Sequence, residues 1–98
     1  KRDQVFFPVE REDHRYHPKE KIMGVQVNGH YKAYPFKELA KTEESTEDRI
    51  GGQSLVIRYS PRKELARVET PDGYEWPHIT LFWFAWIAFH PETEIHAS

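Results

Sequence analysis

The sequence predicts a small α+β domain: an antiparallel sheet of about four to six strands built from hairpins, a typical size for a sheet, with one short helix between the hairpins and a buried aromatic helix near the C-terminus. Three observations carry this reading. Asn28-Gly29 sits between two β-rich runs, strand-like alternation flanks Pro61-Arg62-Lys63, and Leu81–Phe89 is apolar at every position. A chain of 98 residues has room for one domain and a single core with little to spare.

Taken in order, Val5-Phe6-Phe7-Pro8-Val9 is an apolar run whose proline confines it to a sheet edge or a strand end. Glu10–Lys21 is charged and aromatic without a helical or strand period, so it is expected to be a surface loop anchored by Tyr16. Residues 1–21 are thus expected to form an N-terminal edge strand and loop. Ile22–Val27 and His30–Tyr34 then flank Asn28-Gly29. This is the strongest short hairpin signal, because a type I′ turn needs positive φ at both central residues. In that register Val27 faces His30, Val25 faces Lys32 and Met23 faces Tyr34, while Gln26, Tyr31, Gly24 and Ala33 take the other side. Apolar groups on both faces make the hairpin a central element.

Pro35 ends the second strand, and Phe36–Lys41 has a short helical pattern with Phe36, Leu39 and Ala40 on one side. Thr42–Arg49 is acidic and polar, which predicts a solvated loop. Ile50-Gly51-Gly52 is a turn signal leading into a strand over Ser54–Tyr59, and Leu65–Thr70 returns as its partner. Pro71-Asp72-Gly73 turns the chain into a short strand, Tyr74-Glu75-Trp76. The aromatic helix is expected to start near Thr80 as N-cap and to stop by His90, since the residue before Pro91 disfavours α geometry. Being apolar all round, it is expected to be buried, with Leu81, Phe84, Ala85 and Ala88 on one side and Phe82, Trp86 and Phe89 plugging the sheet. At about 15 Å it is too short to span a bilayer.

Composition excludes several functions. Acidic and basic residues nearly balance at a formal charge of −2, which gives no net electrostatic pull toward nucleic acid or an anionic membrane. The absence of cysteine removes disulfides, thiolate metal sites and cysteine catalysis. A start at Lys1-Arg2-Asp3 without methionine reads as a trimmed or processed chain.

The order of motifs resembles a bacterial family known only as a domain of unknown function (the 3179-type). The residues concerned are Gly24-Val25-Gln26-Val27-Asn28-Gly29-His30-Tyr31-Lys32-Ala33-Tyr34-Pro35, Gly51-Gly52 before a strand, Trp83-Phe84-Ala85-Trp86, and Phe89-His90-Pro91-Glu92-Thr93. The resemblance makes residues 22–95 the family-like core and implies an exported, periplasmic or envelope-associated home. Longer members carry Tyr-Cys-Pro-x-Cys after the Gly-Gly strand. Here Tyr59-Ser60-Pro61-Arg62-Lys63 stands there, so this is a short, cysteine-free form in which no thiol chemistry operates.

No catalytic constellation emerges. Ser54 and Ser60 lack a nucleophile elbow, and the carboxylates Glu43, Glu44, Glu47 and Asp48 form a run rather than a pair in contrasting environments. The expected function is a non-enzymatic extracytoplasmic binding or structural domain, a monomer or weak dimer that needs no cofactor and engages a protein or small molecule rather than nucleic acid. Its expected binding patch is Arg58, Tyr59, Ser60 and Tyr74, beside the position of the family's cysteines. The alternative is a metal- or haem-associated module using His14 and His17, whose spacing can present two imidazoles on one side of a turn. His90 is expected to cap the aromatic helix as a cation.

Overall fold

The computed structural model describes residues 15–42 and 45–97. The expected edge strand Val5–Val9 and His14 lie outside the described residues. Strands β1 (Lys21–Val27) and β2 (His30–Pro35) form the expected hairpin. Its turn residues Asn28 and Gly29 have φ of 51° and 82°, as a type I′ turn requires. Met23 pairs with Tyr34, Val25 with Lys32 and Val27 with His30. Helix α1 (Phe36–Leu39) is a single turn that buries Phe36 and Leu39; it ends before Ala40 can join that face, and Ala40 is exposed.

The acidic stretch expected to be a loop contains a strand instead. β3 (Ser45–Ile50) pairs antiparallel with β4 (Gln53–Ser60) around Gly51-Gly52, a second two-residue turn at positive φ. Ser45, Glu47 and Arg49 point to water, while Thr46, Asp48 and Ile50 turn inward. Alternation is present, but polar residues occupy two of the three inward positions. β5 (Leu65–Glu69) follows β4 as expected. Tyr74-Glu75-Trp76 does not form a strand; its pairing with β5 is one isolated bridge, Glu69 to Glu75.

The apolar stretch near the C-terminus divides in two. Its first part belongs to β6 (Ile79–Phe82), paired antiparallel with β1, and only α2 (Trp83–Phe89) is helical. Thr80 is therefore a strand residue opposite Met23, not an N-cap. The helix start has no side-chain cap. Its orphan amides are taken by backbone carbonyls, Trp83 N–H donating to Glu20 O at 2.8 Å and Phe84 N–H to Pro18 O at 2.9 Å. The loop before β1 is thereby fastened to the helix, and the Tyr16 ring meets Trp83 edge-on at 5.3 Å. Nor is the helix buried all round. Trp83, Trp86 and Ile87 face inward at helical spacing, whereas Phe89 is 72% exposed, and Phe82, the last residue of β6, is 40% exposed.

Among the described residues the strands form a sheet ordered β6-β1-β2-β7, where β7 (Glu94–Ile95) lies parallel to β2, and a sheet ordered β3-β4-β5. One face of β1 and β2 packs against the second sheet through Met23, Val25, Val27, Tyr34, Leu55, Ile57 and Val68. Their other face packs against α2 through Ile22, Ala33, Trp83, Trp86 and Ile87. The hairpin is the middle layer.

A polar tie joins the sheets. Asp48 of β3 accepts from the Tyr34 hydroxyl at 2.5 Å and from Lys32 Nζ at 2.7 Å, both on β2. Burial opposes the Asp48 charge, but the bonds from Lys32, Tyr34 and the Arg49 amide outweigh it and hold the carboxyl below its ordinary range. Burial, then the bond to Asp48, drives the Tyr34 phenol upward, so it stays a donor. His96 lies beside Tyr34, ring to ring at 5.2 Å, and burial followed by Lys32 lowers its basicity.

Because the Asp48 pKa is depressed on folding, its contribution is complete above the unfolded carboxylate range and is lost as pH falls through the lower folded value. Asp48→Asn should cost about 1.5–3 kcal/mol at neutral pH, and Tyr34→Phe less. Urea unfolding at neutral and acidic pH checks both. The Asp48→Asn penalty should shrink as the pH drops below the ordinary carboxylate range.

Candidate functional site

Gly24 and Ala33 are cross-strand partners on the outer face of the β1–β2 hairpin, so the sheet is almost bare there. Trp86 fills the space. A Cβ at Gly24 would stand 2.2 Å from its ring, and the indole N–H donates to Thr93 Oγ1 at 2.8 Å. Beside this indole, above Gly24 and Gln26, lies a cleft of about 480 Å³ bounded by Tyr31, His90 and the Trp76-Pro77-His78 segment. That volume is within the roughly 300–1,000 Å³ of small-molecule sites.

Each wall has a local cause. β6 pairs with β1 only from Lys21 to Gly24. Beyond that point the Gln26 carbonyl accepts from the Trp76 indole N–H at 3.2 Å, so a side chain takes over where the strand partner ends. The His78 imidazole lies 2.7 Å through Nδ1 from the Trp76 carbonyl. In the neutral ring, Nδ1–H donates there and Nε2 becomes the acceptor. On the other side His90 stacks on Tyr31, with centroids 3.9 Å apart and planes at 19°, and sits 4.3 Å from Trp86. Burial lowers the His90 pKa, so at neutral pH the ring is uncharged and serves as a stacking surface, not as the expected cationic helix cap. Among the described residues no Asp, Glu, Lys or Arg lines the cleft.

The sequence-predicted binding residues lie elsewhere. Arg58, Tyr59 and Ser60 do come together, lining a second cleft of about 380 Å³ at the β4–β5 hairpin with Arg62, Lys63 and Arg67. Tyr74 does not join them. It is 73% exposed past the far end of β5, where its amide donates to Thr70 Oγ1 at 3.1 Å. The Tyr59 ring faces inward, edge-on to Phe36 at 5.2 Å. Of the histidine pair, His17 is exposed and its Nδ1 accepts the Lys19 amide at 3.0 Å. Among the described residues no group of three or more metal-ligating side chains occurs, and no helix is long and apolar enough to cross a membrane.

Sequence reasoning did not single out Trp76, His78 or Trp86 as one site, because they come from separate segments. One signal was available: a glycine opposite an alanine within a hairpin marks close approach by another group.

A family model described as "Protein of unknown function (DUF3179)" matches residues 1–75. The matched span takes in β1 to β5 and the cleft residues Gly24, Gln26 and Tyr31; it stops before Trp76, β6 and α2. No curated protein and no solved structure matches the chain.

The contact at Gly24 is testable without a ligand. Gly24→Ala forces the Trp86 ring off the sheet, an overpacking that should cost about 1–3 kcal/mol. Thermal unfolding should show the loss, and a shifted indole N–H resonance for Trp86 should report the broken bond to Thr93.

Proposed function

The chain belongs to the family of proteins of unknown function DUF3179, and we propose that it is a non-enzymatic binding domain of an extracytoplasmic protein, with the aromatic cleft as its ligand site. The observation that carries this is the lining, in which rings and apolar surface are flanked by the Gln26 amide, two imidazoles and the Tyr31 phenol and, among the described residues, by no carboxylate, ammonium or guanidinium group. The nearest carboxylate, Glu75, stands 4.0 Å from His78 Nε2 and does not line the cleft, so a formally charged ligand inside it would lose hydration without a counter-ion in contact. A neutral ring with a hydroxylated rim, as in a sugar, fits better: its apolar face lies on aromatic surface while its hydroxyls meet Gln26 and His78. Among the described residues neither carboxylate nor serine lines the cleft, which favours recognition over turnover. The resemblance of the hairpin and aromatic-helix motifs to exported proteins supports the extracytoplasmic part of the proposal.

Tryptophan fluorescence provides the test. Titration with neutral mono- and disaccharides should give a saturable change, and uronic acids and amino sugars should give little. Gln26→Ala, at an exposed position on the cleft floor, should weaken binding about tenfold, equivalent to one hydrogen bond of roughly 1–1.5 kcal/mol, with an unchanged circular dichroism spectrum. No response to any neutral sugar, or equal affinity in Gln26→Ala, overturns the proposal.

A further inference from the structure

The β4–β5 hairpin presents a basic surface separate from the aromatic cleft. Arg58 and Arg67 are directly opposite each other in the register, an arrangement in which like charges repel. Glu69 holds them together, accepting from Arg58 Nε at 3.0 Å and from Arg67 at 3.2 Å. The other acid of the hairpin, Glu64, is engaged by Lys21 Nζ at 3.3 Å. Both hairpin carboxylates are thus already paired. Among the described residues Arg62 and Lys63, exposed in the connecting turn, have no carboxylate at ion-pair distance. Leu65 projects outward, 56% exposed, and lines the same cleft as Arg62, Lys63 and exposed Pro61.

An exposed leucine beside two cations that lack a carboxylate partner among the described residues matches an anionic lipid surface, where the headgroup region attracts Lys and Arg while apolar side chains enter the acyl boundary. From this complementarity we infer that the β4–β5 hairpin docks the domain on anionic phospholipid, with Arg62 and Lys63 at the headgroups and Leu65 dipping between them. A single-stranded nucleic acid would call for exposed ring faces as well as cations, and the hairpin's one aromatic, Tyr59, is turned into the core against Phe36. A soluble phosphate would not use Leu65.

Vesicle co-sedimentation tests the inference. The protein should sediment with phosphatidylcholine vesicles containing phosphatidylglycerol, not with phosphatidylcholine alone, and salt should release it. Arg62→Gln and Lys63→Gln should each weaken binding on the order of fivefold. Leu65→Ser should weaken it further at constant charge. All three positions are exposed, and circular dichroism should show each variant folded. Unchanged binding in the charge variants, or in Leu65→Ser, overturns the inference. So does binding of inorganic phosphate or of an oligonucleotide without binding to anionic vesicles.

Discussion

The structure depends on a hairpin that must bury both of its faces. β1 and β2 present Met23, Val25, Val27 and Tyr34 to one side and Ile22 and Ala33 to the other. A strand pair of this kind is stable only as a middle layer, since either face left in water would forfeit on the order of 1.5–3 kcal/mol per large apolar side chain. The second sheet and α2 are the two covers. This explains why an 11.7 kDa chain adopts three layers.

The two covers attach by different physics. The second sheet adds a partly buried charge tie to its apolar contact, with Lys32 and Tyr34 converging on Asp48. Such a tie adds geometric selectivity, because Asp48 accepts both bonds only when β3 lies beside β2 in this register. The α2 cover uses shape: the Trp86 ring settles where Gly24 has no Cβ, and the first helical amides borrow carbonyls from Pro18 and Glu20. A helix of only seven residues is too short to be stable alone, so these contacts make it possible. The aromatic cleft is a by-product of the same packing, the space left where β6 stops pairing with β1 and Trp76 reaches across.

Local rules made much of this legible. The β1–β2 register follows from Asn28-Gly29 and the period of two, and the β4–β5 pair from its alternation. β3 escaped because its inward positions include Thr46 and Asp48; an inward aspartate looks like a solvent residue until Lys32 and Tyr34 are found beside it. β6 escaped for another reason. A continuous apolar run has no period, so Ile79–Phe82 and Trp83–Phe89 look alike. What separates them is the open edge of β1, which accepts a strand as far as Gly24.

By itself the sequence determined the fold class, the central hairpin with its register and the cysteine-free chemistry, since all are set by residue type or by neighbours a few positions apart. Tertiary structure alone decided where the apolar run changes from strand to helix, which aromatic rings are buried, and that Gly24, Trp76, Trp86 and His90 meet around one cleft. The physical reason is range. Turn geometry and strand periodicity act within a hairpin, whereas the cleft depends on residues more than sixty positions apart, from Gly24 to His90, meeting at a single bare patch of sheet.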